Sequence, residues 1–183
     1  SFKKQKLEVL GIEPAKKISI QANKKKLKTI CDFFSPQIAS KLKRQNFRPK
    51  LITANYVLAN INNLKEFAKL AESLLDDNGI LIINTGYHPK QFKIYMFDYI
   101  YHEHFSYFSL GFLKNFFKRY GLEVVDANLI SLKGGSIEIV LKKTQATKKI
   151  SNRAKKIIKT EQKEKINTTH YFKKFNEKIN KKK

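Results

Sequence analysis

Among 183 residues there is one cysteine, one methionine and no tryptophan, and 15 Asp and Glu stand against 38 Lys and Arg. A lone thiol excludes an internal disulfide framework and suits a reducing compartment, so a cytoplasmic setting is expected. With nothing adjacent to lower its pKa, Cys31 reads as a small buried apolar residue near Ile30 and Phe33. No apolar run approaches the roughly 18 residues a membrane-spanning helix needs, and no signal-peptide hydrophobic segment opens the chain. The expectation is a soluble protein.

The formal charge of +23 invites a polyanion partner. Two features weigh against a nucleic-acid groove. Arg occurs only at Arg44, Arg48, Arg119 and Arg153, although planar forks favour Arg for phosphates and bases, and the lysines are spread along the whole chain. A solvated lysine surface is the default reading. The competing one is a non-catalytic basic module that binds nucleic acid or an anionic surface.

Strand and helix alternate over the first 120 residues. Strands are predicted over Leu7–Ile12, Leu27–Phe34, Leu51–Ala59 and Ile80–Asn84, and the intervening helices over Ala15–Lys25, after Ser35-Pro36, and over Asn63–Leu75. A helix over Leu110–Tyr120 closes on Gly121, and strands over Leu122–Ile130 and Ser136–Lys142 follow without a helix between them. This order specifies an α/β fold, a Rossmann-like doubly wound and mostly parallel sheet with an antiparallel edge strand. Ligands of such sheets lie beyond the carboxyl ends of the strands, where Glu13, Asp32, Asn55 and Asn84 fall. Residues 1–143 read as one domain. Residues 144–183 read as a basic helical tail, with one stripe of Ile150, Ala154, Ile157 and Ile158 and another of Tyr171, Phe172, Phe175 and Ile179. Neither stripe has an evident partner within the chain, so docking on an absent region or a partner is expected, with disorder at the terminal lysines.

Tyr101-His102-Glu103-His104, inside the aromatic run Phe97–Leu110, gathers phenol, carboxylate and imidazole into four consecutive residues. Such groups move protons near neutral pH, since imidazole titrates closest to it. A bland alternative is an aromatic core edge with satisfied histidines. A metal is not expected: the zinc-helix pattern needs a second His four positions after His102, and Ser106 stands there.

The segments Val9-Leu10-Gly11-Ile12-Glu13-Pro14, Asp32-Phe33-Phe34, Ala54-Asn55-Tyr56-Val57-Leu58-Ala59, the aromatic run and Lys133-Gly134-Gly135-Ser136 together resemble the class I S-adenosylmethionine-dependent methyltransferases, and within them the C-methyltransferases of nucleotide-linked 4-keto-6-deoxysugars. The resemblance covers about residues 7–143. It implies S-adenosylmethionine as cofactor and a nucleotide-sugar substrate. Glu13 would hold the cofactor ribose, Asp32 and Phe33 would meet the adenine, and Asn55 would sit beside the methionine part. His104 would remove a proton from the sugar, Tyr101 would donate to the developing enolate oxygen, and Glu103 would orient the group or bind a sugar hydroxyl. His102 has no firm role. The chain departs from the family in having no glycine-rich turn before Glu13 and Asn60 where many relatives carry His. The family's first strand is missing, and members continue into a further α/β region. The resemblance thus implies a fragment truncated at both ends, with reduced or no activity and weak cofactor binding alone.

Overall fold

The computed structural model describes residues 5, 7–96, 99–146 and 149–181. Phe97 and Asp98 of the aromatic run, and Lys182 and Lys183 of the terminal lysine run, lie outside the described residues. The chain forms two compact units, Ser1–Arg48 and Pro49–Lys183.

In the first unit β1 (Gly11–Ile12) pairs in parallel with β2 (Thr29–Ile30), and these strands alternate with α1 (Lys16–Lys24) and α2 (Pro36–Arg44). Asn23, near the end of α1, fixes the start of β2 by giving its amide to the Thr29 carbonyl at 2.9 Å and accepting from Thr29 N–H at 3.1 Å. Helix α2 begins where Ser35 caps the Ile38 amide and Pro36 takes an early helical position with a preset φ, and its apolar face buries Ile38, Ala39 and Leu42. Both strands are shorter than their apolar runs predict. Residues Leu7–Leu10 have no strand beside them among the described residues, and the Asp32 carboxylate accepts from Phe33 N–H at 2.7 Å, turning the chain away after β2. Cys31 falls in this turn and is exposed, which corrects the expectation of burial.

The second unit contains β3 (Leu51–Asn55), α3 (Leu64–Leu74), β4 (Ile80–Gly86), α4 (His88–Lys93), α5 (Leu110–Lys118), β5 (Leu122–Ile130), β6 (Ser136–Lys143), α6 (Asn152–Glu164) and α7 (Thr169–Asn180). Its strand order is β3-β4-β6-β5, with β3 and β4 parallel and β6 antiparallel to both neighbours. The α/β alternation therefore matches expectation, and the last two strands pair antiparallel at one edge, the strand that runs against the others being β6, one place in from the edge strand β5. β4 and β6 alternate inward and outward, and Leu81, Ile83, Ile137, Ile139 and Leu141 are fully buried. Each such side chain contributes about 1.5–3 kcal/mol relative to exposure. β3 stops at Asn55 because Tyr56 takes a left-handed φ of 53°. The predicted strand to Ala59 thus ends early, in a short 3-10 turn over Leu58–Asn60.

Both tail stripes find partners within the second unit, contrary to expectation. Ala154 and Ile157 are buried where α6 packs on β5 and α5. On α7, Phe175 stacks on Phe92 of α4 with ring centroids 4.3 Å apart, and Phe172 lies 6.4 Å from His88. Glu161 of α6 is 4% exposed and accepts from the Tyr87 hydroxyl at 2.8 Å and from the amides of Leu110 and Gly111 at 2.7 Å. Those amides open α5, where no intrahelical acceptor exists and a negative charge is favoured. No helix among the described residues is long and apolar enough to cross a membrane.

Candidate active site

The carboxyl ends of β3 and β4 and the end of the aromatic run enclose a cleft of about 230 Å³ in the second unit, lined by Tyr56, Asn60, Gln91, Tyr99, Tyr101, Glu103, His104, Tyr107 and Lys133 among others. Three backbone contacts hold the run there. Phe105 N–H donates to the Ala59 carbonyl at 2.8 Å, His88 N–H to Phe108 at 3.2 Å, and His104 N–H to Tyr101 at 3.1 Å. The last makes a tight turn that brings the side chains of Tyr101 and His104 to one side.

The Tyr101 hydroxyl and His104 Nε2 are 3.0 Å apart. Tyr101, Tyr99 and Tyr107 surround the imidazole, with ring centroids 4.2, 5.2 and 5.7 Å from it. Desolvation in this aromatic cage lowers the His104 pKa below the ordinary imidazole value. Glu103 opposes that shift and the Lys133 charge adds to it. Burial raises the phenol pKa of Tyr99 and of Tyr107, so both stay neutral donors.

Lys133 closes the far side, its Nζ 4.0 Å from the Tyr56 ring centroid. It lies in a turn of three successive left-handed residues, Lys133 (φ 50°), Gly134 (φ 71°) and Gly135 (φ 129°). Positive φ favours glycine at both positions of that turn, and a Cβ at Gly134 or Gly135 would also displace the Met96 or Lys90 side chain. Asn55 and Asn84 meet where β3 and β4 end: Asn84 Nδ2 donates to Asn55 Oδ1 at 2.8 Å, leaving Asn84 Oδ1 buried without a partner.

In the first unit, Glu13 and Asp32 follow the carboxyl ends of the parallel strands β1 and β2. Glu13 Oε1 accepts from Ala15 N–H at 2.8 Å, ahead of α1. Phe33 is 71% exposed. Among the described residues no group of three or more His, Cys, Asp and Glu is placed to hold a metal ion. The predicted residues thus collect in two places, Glu13, Asp32 and Phe33 in one unit, and Asn55, Tyr101, Glu103 and His104 in the other. Sequence reasoning placed Asn84 at a strand end without a role and missed Tyr56, Tyr99, Tyr107 and Lys133 as site residues. Left-handed backbone at Tyr56 and Lys133 is not visible in a sequence.

Parallel strands with acidic and amide residues at their carboxyl ends, finished by an antiparallel pair, define the fold of S-adenosylmethionine-dependent methyltransferases. Solved structures share it. A SAM-dependent methyltransferase from Archaeoglobus fulgidus matches with a TM-score of 0.59 at 13% identity, over 77% of this chain and 78% of that one. Another from Clostridium acetobutylicum matches at 0.53 and 12%, over 74% and 75%. The methyltransferase-domain family model matches residues 1–127, and a C-methyltransferase C-terminal domain model matches residues 131–183. The chain belongs to the methyltransferase-domain family. C-methyltransferase NovU of Streptomyces niveus is 31% identical over 138 residues, 75% of this chain and 33% of that protein, so the chain spans about a third of the length of this curated relative.

Proposed function

We propose that this chain is part of an S-adenosylmethionine-dependent C-methyltransferase that acts on a nucleotide-linked keto-deoxysugar through an enolate. The observation that carries the reading is the Tyr101–His104 pair, 3.0 Å apart in a tyrosine-walled cleft at the strand ends, where desolvation lowers the imidazole pKa.

The residues present fit the cofactor. In the first unit an exposed Phe33 suits stacking on adenine and the Glu13 carboxylate suits two ribose hydroxyls. When bound, S-adenosylmethionine offers a methyl group on a sulfonium. The acceptor carbon must then be electron-rich, and a carbon beside a keto group becomes so only after losing a proton. His104 takes that proton, and Glu103 orients the group or binds a sugar hydroxyl. Holding the acceptor carbon in line with the methyl supplies the remaining acceleration.

The test is His104→Ala in a complemented or full-length form, assayed by transfer of labelled methyl to a nucleotide-linked 4-keto-6-deoxysugar and, in parallel, by retention on a polyanion column. Lost transfer with unchanged retention is expected. Transfer that survives the substitution overturns the reading, and loss of retention together with transfer favours the basic binding module.

A further inference from the structure

The Tyr101 hydroxyl and His104 Nε2 lie 3.0 Å apart, and in the tautomer that leaves Nε2 unprotonated the phenol donates to the imidazole and is not free to donate to a substrate oxygen. An enolate forming in this cleft needs another donor. Lys133 supplies the cationic candidate. Its ammonium is steered by the Tyr56 ring face at 4.0 Å, on the wall of the cleft that also holds His104. The turn beneath it is clamped. The Lys133 carbonyl accepts from Gln91 Nε2 at 3.3 Å, and the Leu132 carbonyl accepts from Ser136 Oγ at 2.9 Å and from Gly135 N–H at 3.0 Å. The left-handed backbone of Lys133, a conformation that Lys26 and Lys165 also adopt, fixes where its side chain leaves the turn.

We propose that Lys133 is a catalytic residue: it binds the keto oxygen of the substrate and takes up the charge that develops there as the enolate forms, while Tyr101 holds His104 in position. This rests on the function proposed above. In the step, the C–H bond next to the carbonyl breaks and the proton passes to the hydrogen-bonded Tyr101–His104 pair, ending on His104. The C–H electron pair becomes the new carbon–carbon π bond, and the carbonyl π pair moves onto the oxygen beside Lys133 Nζ. Collapse in heavy water returns a deuteron to the carbon, so the step is read without methyl transfer.

The experiment follows deuterium incorporation beside the carbonyl of a nucleotide-linked 4-keto-6-deoxysugar by proton NMR, as a function of pH, for the unaltered sequence, His104→Ala, Lys133→Met and Lys133→Arg, each in a complemented or full-length form. Loss of one preorganised charge partner is expected to slow exchange by about 100-fold or more in Lys133→Met, with KM little changed and Lys133→Arg recovering most of the rate. The acid limb should also move to higher pH in Lys133→Met, because a cation that opposes protonation of His104 is gone, a change that a structural role alone would not produce. Exchange lost in His104→Ala but unchanged in Lys133→Met overturns this assignment and leaves the proposed function standing. An acid limb that stays in place while the rate falls makes Lys133 a structural residue and overturns it too. Absence of exchange in the unaltered sequence carried in a complemented or full-length form overturns both.

Discussion

Replacing Glu161 by Ala removes one acceptor from three donors at once: the Tyr87 hydroxyl at 2.8 Å and the amides of Leu110 and Gly111 at 2.7 Å. Individually, hydrogen bonds to a charged group are worth about 1.5–3 kcal/mol. They share one carboxylate, so their sum overstates the loss. The better guide is the cost of breaking a buried charged network from one side, about 3–5 kcal/mol. Against a total stability of about 5–15 kcal/mol, that is a large fraction. Urea unfolding followed by far-ultraviolet circular dichroism measures it. With a slope of about 2 kcal/mol/M, the midpoint should fall by about 2 M while the slope is retained. Glu161→Gln keeps one oxygen acceptor and should lose less, about 1–2 kcal/mol. In a double-mutant cycle, Tyr87→Phe and Glu161→Ala should be non-additive by about 1 kcal/mol. A Glu161→Ala loss below about 1 kcal/mol would refute the view that this carboxylate caps α5.

His88 is 4% exposed with neither ring nitrogen partnered, and burial lowers its pKa to about 4. Its folded value lies below the unfolded one near 6.5, so its contribution is complete above that pH and is lost as pH falls toward 4, about 3 kcal/mol in all. His88→Phe keeps the packing on Phe92 and Phe172 and should flatten the stability profile between those limits, read by urea midpoints at several pH values. Gly134→Ala forces a Cβ against Met96 at φ 71° and should cost about 1–3 kcal/mol, whereas Lys133→Gly relieves left-handed strain and should change stability by no more than about 1 kcal/mol while abolishing α-proton exchange. Glu13→Gln retains an oxygen for Ala15 N–H but removes the charge, so calorimetric titration with S-adenosylmethionine should show binding weakened about tenfold and melting unchanged. Equal binding by the variant would remove the ribose role from Glu13.

The fold was legible where local pattern and tertiary packing agree. α3 announces itself by Phe67, Ala68, Ala71 and Leu74 on one face, and Asn63 caps it as its side chain suggests. β4 and β6 alternate as strands with one covered face must. The lengths of β1 and β2 were not legible, because apolar residues such as Leu7 look the same whether or not a neighbouring strand accepts their hydrogen bonds. His104 and Tyr101 were readable as chemistry because they are neighbours in sequence. Lys133 joins them only through the fold, and its lysine is one of many in a lysine-rich chain. Glu161 was hidden for the same reason: its donors lie 50 to 74 residues earlier, and an acid in a basic helix resembles a solvated charge.

The carboxylate on α6 also sets where the polypeptide tolerates a cut. A chain ending at Lys143 would keep every strand of the second sheet yet strand a phenol and two peptide N–H groups with nothing to receive them, and it would uncover the rings of Phe92 and His88. Residues beyond the last strand are therefore masonry for the wall on which the aromatic run leans, and removing them should loosen the cleft before it unravels the sheet.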